Sequence, residues 1–330
     1  MTGVVDGRRT SPRPFLVALL FLVGWSAGAA ATACDSASCS LLTRGANGLL
    51  PAKKFRLDVS FGYADQAVLM HGSQEVDAVY RPRVFLERQL VIPGFHRDLA
   101  GYDRVLQADL TYGLSSRVNV VASVPLAIWH AHDVAHGAVA QEFGTVGLGD
   151  SLLGVRLSLR PRRLVGGFSV KVPTGRHDIG GEFGGGIQDP TLQPGTGAFD
   201  FVGMLMYSWR ADRLGLDFAV AASYQATTTN SLDYRFGSQA ITTVGVAHSV
   251  TSRLTVSLQG KLFHQDRSQY LGQGVPSTGG TFVYLTPGLR LRAQRGFSMY
   301  AFLLLVPYRY VNEAQLAPRA AILTGVSKLF

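Results

Sequence analysis

Residues 199–225 read FDFVGMLMYSWRADRLGLDFAVAASYQ. Phe199, Phe201, Leu205, Tyr207 and Trp209 fall in one phase of a two-residue alternation, with Asp200, Ser208 and Arg210 in the other. A short polar turn, Ala211-Asp212-Arg213, follows. Leu216, Phe218, Val220, Ala222 and Tyr224 then alternate with Asp217, Ser223 and Gln225. A period of two places each apolar set on one face of an extended strand. Two such runs around a short turn predict an antiparallel hairpin with one face for hydrocarbon and one for water.

The same unit recurs along the chain. Short turns closing on arginine read LSSR (Leu114–Arg117), PRR (Pro161–Arg163), ADR, TSR (Thr251–Arg253) and AQR (Ala293–Arg295), and their arginines lie 46, 50, 40 and 42 residues apart. Strands are expected at 55–63, 106–112, 118–128, 150–159, 164–172, 239–249, 254–262, 283–291 and 297–309, with a last one at the C-terminus. In the third, Val118, Val120, Ala122, Val124, Leu126 and Ile128 are read as outward-facing. The eleventh, 297–309, is apolar on both faces and leaves its orientation open. Short turns alternating with long Gly-rich loops predict an all-β fold, an antiparallel up-and-down transmembrane β-barrel of about twelve strands. Residues 66–102 offer an alternative of fourteen, through a further hairpin of Val76-Ala78-Tyr80 and Val84–Leu90. An even number places both termini and the five short turns at the same end. Aromatics near strand ends, among them Tyr63, Tyr112, Trp129, Tyr207, Trp209, Tyr224, Tyr308 and Tyr310, suit the two interfaces of a bilayer.

The ends agree with export to an outer membrane. Arg8, Arg9 and Arg13 precede an apolar run, Phe15–Trp25, too short to span a bilayer, and Ala31-Thr32-Ala33 makes an A-x-A cleavage site. Residues 1–33 are therefore read as a signal peptide, 34–52 as a periplasmic segment and 53–330 as the barrel. The full chain carries +9. Removing the signal takes away three Arg and one Asp, leaving about +7. The cations are dispersed through turns and strands, so nucleic acid is not an expected partner. Cys34 and Cys39 are the only cysteines. A short disulfide is the leading reading, against lipidation of Cys34 or a two-ligand metal site. The chain ends GVSKLF. The aromatic Phe330 resembles the terminal recognition residue of bacterial outer-membrane barrels, which implies outer-membrane lipids and the barrel-assembly machinery as partners.

The inward phase carries charges of both signs. Arg56, Asp58, Asp109, Asp150, Arg156, Lys171, Asp200, Arg210, Asp217, Lys261, Arg290 and Arg292 are the expected lumen-lining set. Such charges are tolerable where they face water or pair across strands.

Three motifs in the middle of the chain are more specific: GLGD (Gly147–Asp150), KVPTG (Lys171–Gly175) and DPTLQPGTGAFDF (Asp189–Phe201). Over roughly residues 103–330 they resemble the phenol-degradation (meta-pathway) family of outer-membrane proteins. The resemblance implies a channel passing small, often apolar or aromatic, molecules, and implies no catalytic residues or cofactor. Independently of it, prolines and glycines stop strand pairing over 174–196. That segment is either a constriction folded into the mouth, with Asp189, Gln193, Pro194, Gly195, Thr196 and Gly197 at its heart, or an ordered external loop.

Other chemistry finds less support. His130, His132 and His136 are read as one solvated loop, with no metal expected. GGEFGGG (Gly180–Gly186) lacks the Lys-Ser/Thr of a phosphate loop. His248 and His264 have no serine beside them on their own strand faces, so an enzyme is not expected. The function expected is a passive outer-membrane channel for small molecules. The alternative is a structural or adhesive surface barrel whose loops bind partners. Solute and oligomeric state are not readable.

Overall fold

The computed structural model describes residues 49–330 apart from 162 and 182–185. The signal sequence and Cys34/Cys39 lie outside the described residues. Among those described, no helix is long and apolar enough to cross a membrane; the crossing elements are strands.

Twelve antiparallel strands form a closed barrel: β1 (Phe55–His71), β2 (Leu90–Gly113), β3 (Val118–His136), β4 (Ser151–Arg160), β5 (Leu164–Val172), β6 (Asp200–Ala211), β7 (Leu216–Ala226), β8 (Gln239–Ser249), β9 (Leu254–Gln265), β10 (Gly280–Arg292), β11 (Phe297–Val311) and β12 (Ala314–Leu329). Each strand pairs with its neighbours in sequence, and β1 pairs with β12 on one side and β2 on the other. Closure leaves no edge unpaired, which a hydrocarbon environment demands. At the seam the Phe55 and Phe330 rings stack at 4.3 Å, and Phe330 N donates to Phe55 O at 2.9 Å. The Lys328 amine donates to Arg295 O in the adjacent turn, which satisfies a cation on an otherwise apolar phase.

The alternation places side chains as expected along most of the wall. Phe61, Leu153, Phe168, Leu205, Val244 and Leu289 are exposed on the outer surface, where lipid would cover them. The orientation of β11 is settled: Tyr300, Phe302, Leu304 and Val306 point inward, while Met299, Leu303 and Leu305 face out. The segment 66–102 adds no barrel strand. Val79–Phe85 pairs with the outer part of β2, from Leu90 to Asp98, and stands on the long-loop end as a hairpin extension.

Two expectations for β3 need correction. Leu106 pairs with Ala127 and Gln107 with Pro125, so a bulge accommodates Leu126 as an extra residue. The bulge inverts the phase beyond it. Ile128 is therefore buried inside rather than facing lipid. His130, His132 and His136 also do not form a loop. They belong to β3, whose outer half pairs with β2 and with a further strand, Val139–Gly147. Outward residues there include Arg104 and Asp133, both exposed. The strand has left the apolar band and needs no outward hydrophobic residues, so the usual signature fades while the ladder continues.

At the short-turn end, Leu49 packs against inward Val165, Met206 and Ala221. At the opposite end the loops converge over the mouth. Val84, Leu86, Tyr234, Phe236, Tyr270 and Val275 make one apolar cluster drawn from three of them. Tyr270 Oη donates to Leu86 O at 3.1 Å, and a small three-stranded sheet (Tyr234–Arg235, Gln269–Tyr270, Gln273–Gly274) holds two of the loops together.

Candidate functional site

The lumen has two unlike walls. From β9 to β12 and the outer half of β1 it is apolar and packed. Phe263, Phe282, Tyr284, Tyr300, Phe302 and Leu304 belong to one buried cluster. The cations on this side lie over rings: Lys261 Nζ is 4.3 Å from the Tyr284 centroid and the Arg290 guanidinium 5.0 Å from that of Tyr300. Such placement lets a cation sit beside apolar surface through the ring quadrupole. The facing wall is polar. Arg56 pairs with Asp58 at 2.9 Å. Asp109 accepts from Gln107 Nε2 at 2.8 Å and from Ser123 Oγ. Arg156 faces a small cavity shared with Arg56 and Asp109. Arg210 and Arg292 share the inward phase but sit at the ends of their strands, exposed at the rim. There Arg210 meets Asp217 at 3.0 Å.

The three motifs meet at one buried point. Lys171 Nζ lies 2.5 Å from Asp200 Oδ2 and 3.5 Å from Asp150 Oδ2, and all three side chains are at most 2% exposed. Lys171 also donates to Thr196 Oγ1. Asp150 Oδ2 accepts from Thr196 N at 2.8 Å and from Thr196 Oγ1 at 2.7 Å, while Asp150 Oδ1 accepts from Gly175 N at 3.0 Å. Asp200 accepts from Gln225 Nε2 at 2.8 Å and Thr228 N at 3.1 Å. One cation and two carboxylates thus bind the 173–199 segment to the barrel wall. A Cβ on Gly195 would come within 2.4 Å of the Gly175 main chain. The glycines of KVPTG and QPGTG are there to let two backbones touch. Gly195→Ala is expected to separate them and raise protease cleavage within 173–199 several-fold, with the barrel still formed.

Held this way, the segment turns through a short 3-10 helix, Pro190–Leu192, with Asp189 accepting from Thr191 N at 3.0 Å. Gln193 fastens the return: its side chain accepts from Ile179 N and donates to Ile179 O, both at 3.0 Å. Gln193 and Thr196 are buried, and Gly197, at φ 71°, packs on the His177 ring. Thr191 and Leu192 border two cavities. The inner one is about 140 Å³ and is lined by Gln66, Asp103, Phe282 and Gln315. The outer one is small, about 40 Å³, and is lined by Arg83, Phe95, His136, Phe143 and Gln188. Arg81 and His132 also border both.

The partition between the cavities is electrostatically organised. Asp98, fully buried, lies 3.1 Å from His96 Nε2, 3.2 Å from His132 Nε2 and 3.7 Å from Arg81 Nε. His130 Nδ1 and Asp103 Oδ1 are 2.5 Å apart. Burial pushes the Asp98 carboxyl up, but Arg81, His132 and His96 more than offset this and hold it well below the usual carboxylate range. Burial, with His96 and Arg83 nearby, holds the His136 imidazole below its ordinary value, in the neutral form at pH 7. A carboxyl lowered on folding stabilises the fold above its unfolded pKa of about 3.9, and that contribution is lost as pH falls below it. Proteolytic resistance of the mouth should therefore drop below about pH 4. The gap between wild type and Asp98→Asn should narrow over the same range.

These inward histidines were not legible as a site, because Asp98 and His96 come from β2, over 30 residues away in sequence from His132. Among the described residues no set of three or more His, Cys, Asp or Glu is arranged to hold a metal ion. His248 Nδ1 lies 3.1 Å from Gly215 O. His264 Nδ1 lies 2.8 Å from Thr281 Oγ1 on β10, and its Nε2 3.4 Å from Asp266. Both of its partners surround a half-exposed outward ring, and the cross-strand Thr281 was invisible to a reading along one strand.

In fold the chain is similar to an outer membrane channel from Pseudomonas putida F1, at 12% identity and a TM-score of 0.54, covering 87% of this chain and 99% of that one. Weaker likenesses include the CymD monoaromatic hydrocarbon channel (11% identity, TM-score 0.43, 85% and 88% covered) and the Pseudomonas putida toluene transporter TodX (11%, 0.42, 93% and 97%). No curated protein matches this sequence. The family model described as "Putative MetA-pathway of phenol degradation" matches residues 101–301. That span contains the GLGD, KVPTG and QPGTG motifs and the whole Lys171 cluster, and the chain belongs to this family.

Proposed function

We propose that the protein is a passive outer-membrane channel for small apolar or aromatic molecules. The observation that carries this reading is the uneven lumen. One wall is packed rings and aliphatic side chains, and the charges of the other are already matched by opposite charges or polar partners. Such a lumen offers little field to an ion and considerable contact area to an apolar solute. The 173–199 segment, pinned by Lys171 and its carboxylates, is the constriction, and Thr191 and Leu192 stand between its two cavities. Arg56, Asp58, Asp109 and Arg156 line the polar side of the route. In this reading the short turns lie in the periplasm of a Gram-negative cell, reached through a cleaved signal, and the long loops lie outside.

The test is uptake of a radiolabelled monocyclic aromatic, at low external concentration, by cells with and without the protein. Uptake should rise several-fold with the protein, and a hydrophilic solute of equal size should gain less. Equal uptake in both cell types removes the channel reading. Phe330 supplies a separate expectation as the residue read by the assembly machinery. Its stacking on Phe55 contributes only about 0.5–1.5 kcal/mol. Deleting Phe330 should cut the amount of barrel in the outer membrane several-fold while leaving refolding in detergent nearly intact. Equal loss in both settings would assign Phe330 to stability alone.

A further inference from the structure

The five short turns that give the chain its period have no part in the lumen. Each closes on an arginine, and Arg117, Arg163, Arg213, Arg253 and Arg295 are all exposed. Across residues 114–117, 160–163, 210–217, 250–255 and 292–297 the only acidic side chains are Asp212 and Asp217. Arg210 takes both, at 3.1 and 3.0 Å. Among the described residues, none of the five turn arginines is ion-paired with a carboxylate. The long-loop end differs. There Arg176, Arg267 and Arg319 each face an acid, Asp178 at 3.1 Å, Glu313 at 2.6 Å and Asp65 at 3.5 Å. Uncompensated positive charge is therefore gathered at the short-turn rim.

The turns do not need arginine to form. In the first, Ser115 Oγ accepts from Arg117 N at 3.2 Å and Val118 N at 3.1 Å. In the fourth, Thr251 Oγ1 accepts from Arg253 N at 3.2 Å and Leu254 N at 2.9 Å. The hydroxyl closes each of these turns, and the guanidinium does not. In the last turn Arg295 holds φ 57°, a left-handed conformation that Gly or Asn adopts at less cost. Turn geometry alone does not call for the residue that stands there.

Each arginine also has an apolar companion. Leu114, Leu159, Leu214, Val250 and Phe297 are 41–63% exposed, and each stands within four residues of the arginine of its own turn. A cation beside an exposed apolar side chain suits the boundary between hydrocarbon and headgroups, where one enters the acyl layer and the other reaches outward. The planar guanidinium fork matches the oxygens of a phosphate. The turns join β2 to β3, β4 to β5, β6 to β7, β8 to β9 and β10 to β11, so they are spread around the rim. A protein docked on one side would leave most of them uncovered, whereas a lipid leaflet meets them all.

We propose that the short-turn rim is a binding surface for anionic phospholipid, with each turn arginine on a headgroup phosphate and its apolar companion in the acyl layer. The inference rests on the outer-membrane reading only for naming the leaflet, the periplasmic one, and is independent of what the lumen passes.

The experiment is native mass spectrometry of the full-length protein in detergent, titrated with dioleoyl phosphatidylglycerol or with dioleoyl phosphatidylcholine, which has no net charge. Wild type should bind the anionic lipid about tenfold more tightly, and the preference should shrink at about 0.5 M salt. A triple variant at the short turns, Arg117→Gln with Arg213→Gln and Arg253→Gln, should lose most of the preference. A triple variant at the long-loop end, Arg88→Gln with Arg176→Gln and Arg319→Gln, lowers the net charge equally and should keep it. Should the first triple fail to fold, Arg213→Gln and Arg253→Gln alone should each reduce the preference by about twofold or more. A preference that survives loss of the turn arginines, or that both triples lose equally, would overturn the site. Equal wild-type affinity for the two lipids would also overturn it and leave the arginines to an acidic protein. Lipid preference without uptake of the aromatic leaves this surface standing and removes the channel. Uptake without lipid preference does the reverse.

Discussion

Lys171→Met should produce the largest functional change of any single substitution in the wall. Lys171 is the one cation between Asp150 and Asp200, and both carboxylates are buried with it. Removing one partner of such a cluster costs about 3–5 kcal/mol, because the remaining charges have nothing to balance them. The barrel itself is stitched by main-chain ladders on both sides of β5. The strain therefore falls on the cluster itself, where Lys171 donates to Thr196 and neutralises the two carboxylates that hold Thr196, Gly175 and Thr228. With Asp150 no longer balanced by the lysine, its hold on Thr196 and Gly175 should weaken and the 173–199 segment should swing from the mouth. Single-channel recordings should show a conductance several-fold above wild type and noisier, and proteases should cut within 173–199. A triple change of Lys171→Met, Asp150→Asn and Asp200→Asn removes the bare charges and should recover much of the stability, but not the closed mouth. Wild-type conductance in Lys171→Met would show that the segment is held elsewhere.

The second large effect contrasts two neighbours on β11. Leu304 is fully buried against Phe302, Tyr300 and Ala321, whereas Leu303 is 42% exposed on the outer face. Leu304→Ala should cost about 2–5 kcal/mol, since nothing flows in to fill the space. Leu303→Ala should cost far less, since lipid tails or detergent take the place of the lost methyls. Leu304→Asp, which buries an unpaired carboxylate, should give no heat-resistant folded band in an electrophoretic mobility shift. Denaturant unfolding of the two alanine variants measures the difference. Equal losses would mean that the interior is wet and that the apolar wall is not a packed core.

This contrast also shows why β11 was not orientable from its residues. FSMYAFLLLV is apolar in both phases, since one phase meets lipid and the other joins Phe263 and Tyr284 of the strands beside it in the buried inner cluster. Alternation identifies a face only when the two sides meet different solvents. The same rule explains the missed outer half of β3. Above the bilayer apolar and polar residues no longer segregate by side, so Trp129 to His136 carries no contrast to read. The single extra residue at Leu126 then reversed the phase of everything beyond it. Nothing in VASVPLAIWH marks the bulge except Pro125, whose missing N–H a regular ladder would have needed.

The site was legible in pieces. Asp150, Lys171 and Asp200 stood out as charges in strand interiors, and Thr196 and Gly195 as parts of a loop too long for a connector. That they are one cluster, and that Gly175 and Gly195 touch, follows from β4, β5 and β6 lying side by side with the loop folded back upon them. The outer cavity draws together β2, β3, Arg81 and Arg83 of the hairpin, and Gly181, Gln188, Asp189, Thr191 and Leu192, and no local pattern joins them.

The amino-acid order by itself determined that this is an antiparallel membrane barrel with long loops at one end, because a two-residue period against two solvents is a local property that each strand declares alone; twelve strands rather than fourteen was settled by the pairing of Val79–Phe85 with β2. Which charges pair, which cavity forms and which loop is tied to the barrel wall were decided only by the tertiary structure. Those contacts join residues tens of positions apart, and the energy of a buried ion pair or a filled cavity depends on what faces it across the lumen, not on its neighbours along the chain.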